Sequence, residues 1–143
     1  MAKAELKFPD EFAVRLSKLG SKTDEITEDV LKAGAKVVLR QVKYNLAFVI
    51  GNGTKIESRS TGELYNSLGI SPAKIDDKGN FNVKIGFYEP RSDGKVNAKI
   101  ANIIEFGKTG QPARPFLARA KRQSKKLCEA AMIKIFEEEV KKL

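Results

Sequence analysis

The chain has 143 residues, 41% of them apolar and 31% charged, and carries a net charge of +9 at pH 7. A domain of that length buries about two-thirds of its unfolded surface, so a single packed domain over residues 1–143 is expected and wholesale disorder is not. No His occurs and Cys128 is the only cysteine, which removes the commonest general base, any Cys/His zinc cluster and any internal disulfide, and fits a reducing cytosol.

No signal peptide is expected at the N-terminus, because Glu5 and Lys7 interrupt the basic-then-apolar layout it needs. Phe8-Pro9-Asp10-Glu11-Phe12 predicts a helix start, with Phe12, Leu16 and Leu19 at helical spacing and Gly20 as the stop. Thr23 is the expected N-cap of a second, longer helix, with Asp24 and Glu25 at its positive end. Its apolar stripe is Ile26, Val30, Ala33, Val37, Leu46 and Val49, with Val38 and Val42 between. Gly34 inside that helix costs about 1 kcal/mol relative to Ala, which so long a helix tolerates. The best apolar run, Leu46–Ile50, ends at Gly51 and is far shorter than the ~18 residues of a membrane span, so no membrane partner is expected.

Residues 51–62 are rich in Gly, Ser and Thr without periodicity and predict a loop. Gly51-Asn-Gly-Thr-Lys55 is too short for a phosphate-binding loop and follows a helix rather than a strand. A turn over Leu64–Leu68 leads into a hairpin, with Ile70–Ile75 as one arm and residues 76–80 as its turn. Phe81, Val83, Ile85 and Phe87 alternate along the second arm. Pro72 makes the first arm an edge or bulged strand. Asp76 and Asp77 are read as turn formers rather than metal ligands. Residues 88–94 form another turn-rich loop. Residues 96–106 fit either a strand or a short helix, with Ile100, Ile103, Ile104 and Phe106 as the apolar set. From Pro115 to Leu143 one helix is expected, buried along Leu117, Ala120, Ser124, Leu127, Ala131 and Ile135. The fold class is therefore α+β, with N-terminal helices and a long C-terminal helix flanking a small, mainly antiparallel sheet.

The segment 101–117 is the most restricted in backbone. Gly107 and Gly110 permit the positive φ of a sharp turn. Pro112 and Pro115 hold Gln111 and Arg114 extended, and Pro115 suits the first helical position, ahead of Phe116. Glu105, between Ile104 and Phe106, is expected to be partly buried and to pair with Arg114 across the loop. Cys128 sits among Leu127, Ala131 and Met132 and reads as a structural thiol. Seven Lys/Arg and no acid lie between Gly107 and Cys128. Arg119, Arg122 and Lys126 share one helical face, and Glu137–Glu139 load the far end. That order opposes the helix dipole, so the basic charges are candidates for contact with a partner.

Two blocks carry a resemblance. Ile104-Glu-Phe-Gly-Lys-Thr109 with Pro112-Ala-Arg-Pro-Phe-Leu117, and Ser60-Thr-Gly-Glu-Leu-Tyr-Asn-Ser-Leu68, resemble the signature of minor tail or head–tail joining (tail completion) proteins of long-tailed bacteriophages and prophages. By order of blocks the likeness runs over roughly residues 24–143, and this chain departs from it by inserting Lys108 between Gly107 and Thr109. The resemblance implies a structural virion protein of the neck or tail, made in the host bacterial cytoplasm. It would assemble as a homo-oligomeric ring and meet other neck or tail proteins, without catalysis, cofactor or metal. Assembly contacts are then expected at Lys55 and Arg59 of the 51–62 loop, at Glu105, Lys108 and Arg114, and at Arg119, Arg122 and Lys126. Gly107, Pro112, Pro115 and Phe116 would be the structural motif. The alternative is a basic nucleic-acid-binding domain making non-specific contact with DNA, against which stands the lack of a recognised module and of interleaved basic and aromatic residues.

Overall fold

Residues 3–7, 23–50, 62–89 and 94–142 are described by the structure, a computed structural model. The helix expected over residues 9–20, most of the 51–62 loop with Lys55 and Arg59, the Pro90–Asp93 part of the next loop, and the side-chain cap expected of Thr23 lie outside the described residues.

Strand β1 (Ala4–Lys7) opens the fold, followed by helix α1 (Thr23–Val49) and a single turn of helix, α2 (Glu63–Asn66). Strands β2 (Leu68–Ile70), β3 (Lys74–Ile75) and β4 (Phe81–Phe87) come next, then α3 (Asn97–Phe106) and α4 (Phe116–Lys141). Among the described residues every strand pairing is antiparallel and is with β4: β1 on one side, β2 and β3 on the other. The fold is α+β, as its sequence pattern predicts, with residues 97–106 helical rather than extended.

Strand β1 is an addition to the expected hairpin. Its four residues alternate apolar and charged, too short a run to register by period, yet Ala4 and Leu6 pair with Ile85 and Val83 of the apolar arm. Pro72 breaks the first hairpin arm into β2 and β3. At the break the amide of Ser71 donates to the Lys84 carbonyl at 2.8 Å, while the Ser71 hydroxyl accepts the Lys84 amide at 2.8 Å, in place of a strand carbonyl. The tip is built by Asp76, whose Oδ1 accepts the amides of Lys78 and Asn80, both at 2.9 Å, with Gly79 at φ 81°. Asp76 thus forms the turn, as acids there commonly do.

The core lies where β4 meets α1 and where α1 meets α4, the largest contact between elements. Val83 and Ile85 are buried from the sheet. Phe87 and Phe116 pack edge to face, their ring centroids 6.4 Å apart. Along α1 the fully buried line is Ile26, Val30, Gly34, Val38, Val42 and Leu46, one residue every four; Ala33 and Val37 are only half-buried. Along α4 the same spacing holds in Ala120, Ser124, Cys128, Met132 and Phe136. The stripe expected at Leu127, Ala131 and Ile135 is thus displaced by one residue. Leu127 is 65% exposed, and Ala131 and Ile135 are half-buried. The physical reason is the i, i+4 ridge: it winds obliquely around the helix, so a stripe extrapolated at 3.6 residues loses it after three turns. Phe106 likewise leaves the apolar set of α3, being 67% exposed.

The two helices run antiparallel, since Gln41 and Asn45 meet Gln123 while Gly34 faces Met132. Asn45 Nδ2 also donates to the Phe116 carbonyl at 3.2 Å. Gly34 is explained by this crossing. A Cβ there would stand 2.8 Å from Met132 Cγ and 3.0 Å from Leu6 Cδ2. The absent side chain lets α4 and β1 close on α1. Gly34→Leu is expected to destabilise the protein by about 2–3 kcal/mol, because overpacking a closed core outweighs the roughly 1 kcal/mol of helix propensity gained. Urea unfolding of the variant, compared at constant slope, measures this.

Candidate interaction surface

Helix α4 begins at Pro115 without a capping side chain of its own and with no acid in its first turn. The first amides of a helix have no partner within it, so they must find one elsewhere. Here Glu105, the penultimate residue of α3 and 4% exposed, supplies both of its oxygens. Oε2 accepts the Leu117 amide at 2.8 Å and Oε1 the Ala118 amide at 3.0 Å. A carboxylate at this place also meets the positive end of the dipole.

The expected pairing of Glu105 with Arg114 is therefore replaced by two helix-end contacts. The Arg114 side chain turns to the other helix, its Nη1 donating to the Val49 carbonyl at the C-terminus of α1, and its amide donates to the Ile104 carbonyl at 2.7 Å. No basic residue lies in the last turn of α1, so Arg114 provides the positive charge that the helix end favours. Acid and base each serve a helix terminus rather than one another. Helix α3 is capped in the same manner, with Glu89 Oε1 accepting the Ala98 amide at 2.9 Å and Asn97 Nδ2 donating to the Tyr88 carbonyl at 2.7 Å.

The loop between α3 and α4 is a closed turn. The amides of Lys108 and Gln111 each donate to the other's carbonyl at 2.9 Å, with Gly110 at φ 79°. Lys108 is thereby one of the two ends of a small hairpin and stays exposed. Gly107 stands at φ 77°, and a Cβ there would approach the Ala113 nitrogen to 2.7 Å and the Gln111 oxygen to 2.8 Å. Both the backbone angle and the space behind it demand glycine. Pro112 is exposed, Pro115 half-buried and Phe116 buried to 1%. The motif residues 107, 112, 115 and 116 thus hold one rigid corner.

Beyond the corner, Arg119, Lys121, Arg122, Lys125 and Lys126 are all exposed, whereas Arg114 is half-buried. The reversed charge order of α4 has an explanation inside the fold as well: Glu105 delivers from α3 the acid that the first turn lacks. Beside the basic face runs a polar seam, in which Gln41 Nε2 and Asn45 Nδ2 both donate to Gln123 Oε1. Tyr44 and Phe48 on the flank of α1, and Leu127 one turn after Gln123, are each about two-thirds exposed or more. These apolar groups are invisible to a stripe analysis that assigns Leu127 to the core. Lys121, Arg122 and Lys125 also rim a groove of about 380 Å³ whose floor includes Leu6, Val38, Cys128 and Met132. Burial, with a smaller effect of the neighbouring Glu129 charge, raises the Cys128 thiol from 9.0 to about 11. Among the described residues no group of His, Cys, Asp and Glu is placed to hold a metal ion, and no helix is long and apolar enough to cross a membrane.

Three outcomes test the corner and the helix that follows it. Glu105→Ala is expected to cost about 2 kcal/mol and Glu105→Gln less, since Gln keeps one acceptor for two amides; thermal melts of the pair measure the order. Gly107→Val is expected to cost about 3 kcal/mol, the sum of positive-φ strain and the backbone clash, and a loss below about 0.5 kcal/mol in the same melts contradicts it. For Cys128, thiolate supply alone makes the folded protein react with a disulfide reagent at pH 8 about a hundredfold more slowly than the urea-unfolded chain; stopped-flow absorbance reads both rates.

Residues 10–107, just over two-thirds of the chain, match the family HK97-gp10_like, whose description reads "Bacteriophage HK97-gp10, putative tail-component". The match reaches further toward the N-terminus than the motif likeness does and stops at Gly107, so Pro112–Leu117 lie beyond it. No curated protein and no solved structure matches the chain.

Proposed function

This chain belongs to the HK97-gp10-like family of bacteriophage tail components, and from that premise we propose that it is a structural protein of the virion neck or tail, acting in head–tail joining or tail completion by ring assembly. The family match carries the reading. The geometry supports it through the hydrogen-bonded 107–115 corner, which ties the start of α4 to α3 and to the end of α1. A part that works by shape must keep that shape when its partners arrive. Family membership also implies contact with other tail proteins, and the reading places Lys108, Arg119, Arg122 and Lys126 on the contacting surface. Glu105 and Arg114 act behind that surface by fixing two helix ends. The protein on this reading is made in the host bacterial cytoplasm, enters the virion, and performs no catalysis.

A second reading, a nucleic-acid-binding domain, draws on the five exposed cations of the α4 face between residues 119 and 126. Phe116 and Phe136, the aromatics of α4, are buried and offer no stacking platform. Binding on that reading is electrostatic, non-specific and lost as salt rises.

Deleting the gene from its phage and complementing with an epitope-tagged copy tests the function. The expected result is filled heads and unattached tails without the gene, restored titre with it, and antibody label at the neck or tail in electron micrographs. Normal virions in the deletion strain contradict the proposal. Among complementing alleles, the buried-cap variant Glu105→Gln is expected to retain titre near wild type, since a loss of about 1 kcal/mol leaves most molecules folded.

A further inference from the structure

The antiparallel packing of α1 on α4 sorts charge in a way that neither helix does alone. Because Asn45 lies beside Gln123 and Gly34 beside Met132, the start of α1 lies near the end of α4. Residues 36–50 and 108–128 together hold ten Lys or Arg and no Asp or Glu. Residues 23–35 and 129–142 hold eight Asp or Glu against four Lys. The helix pair is therefore basic at the end that carries the 107–115 corner and acidic at the opposite end. Both sets face solvent: Arg119, Arg122 and Lys126 at one end, Asp24, Glu25 and Glu138 at the other, are all exposed. Tyr44 and Leu127, 70% and 65% exposed, lie within the basic end as apolar contact groups.

We propose that copies of this protein associate head to tail, the basic end of the α1–α4 pair in one copy docking on the acidic end in the next. The inference rests on the ring-assembly reading and names the surface through which it occurs. Two different surfaces meet in such a contact, so each added copy leaves one basic and one acidic end unsatisfied, and growth stops only when the rotation closes a ring. Charge complementarity of this kind sets partner choice and orientation. Single exposed ion pairs contribute little, so the association depends on several acting together and is weak in free solution. A nucleic acid fits the basic end alone and leaves the acidic end, assembled from two helices, without a role.

The test is sedimentation equilibrium of the full chain, from micromolar to near-millimolar concentration, at about 20 mM and about 150 mM salt, where screening differs strongly. It uses wild type, a basic-end variant (Arg122→Glu with Lys126→Glu) and an acidic-end variant (Glu25→Lys with Glu138→Lys), all four positions being exposed and their folding checked by circular dichroism. Wild type is expected to form species larger than dimers at low salt and to weaken by about tenfold or more at the higher salt. Each variant alone is expected to stay monomeric, and an equimolar mixture of the two to associate again. A wild type that remains monomeric at low salt, stops at dimers, or associates no better than its variants overturns the proposal. So does a wild type whose only salt-sensitive complex is with short duplex DNA, which assigns the basic end to nucleic acid. These readouts use purified protein, whereas the functional reading is judged by titre and labelling in the phage, so the two fail separately.

Discussion

Two amide groups at the start of α4 have no partner in their own helix, and the carboxylate that takes them comes from α3. Around that contact the rest of the structure can be followed as a relay of helix ends. Strand β4 ends at Phe87, and the next two residues hold α3: the Tyr88 carbonyl receives Asn97, and Glu89 caps the helix. Helix α3 then delivers Glu105 to α4. Arg114, in the loop between them, closes the circuit by reaching the last turn of α1. The three longer helices are thus each held at one end by a residue outside them. Orphan terminal amides and carbonyls are costly when left buried, so satisfying them remotely ties the angle between elements to their stability.

The same arrangement explains why α4 tolerates a sequence that its own dipole disfavours. With Glu105 supplying negative charge at the N-terminus, the following cations are freed from a role in helix stability. They are then available to an outside surface. Packing does the remaining work, since the i, i+4 rows of α1 and α4 lie against each other and Gly34 leaves the room that Met132 and Leu6 fill.

Much of this was legible in the residues. The long helices, the β4 alternation, the turn at Asp76, the positive φ of Gly107 and Gly110, and the helix entry at Pro115 each rest on local chemistry that the chain carries with it. What could not be read depends on partners distant in sequence. Strand β1 is four residues long and exists because Val83 and Ile85 offer it a register. Glu105 had an obvious local partner in Arg114, but two helix-end amides without a partner of their own take its carboxylate, while the guanidinium has another helix terminus within reach. The buried row of α4 was displaced because helical periodicity fixes spacing but not the inclination of the ridge that a neighbouring helix selects. The candidate surface was visible as a run of cations, whereas the exposed Tyr44 and Leu127 beside it appear only once the two helices are set side by side.

The broken arm of the sheet has a consequence for how copies of the protein can meet. Side-by-side strand addition is the commonest unwanted way for β proteins to join, because an open edge offers a regular row of donors and acceptors. On the β2–β3 side that row is interrupted at Pro72, which has no amide to give. With three residues in β2 and two in β3, neither piece is long enough to template a neighbour. At high concentration the molecules are thereby steered away from fibrous stacking along this edge.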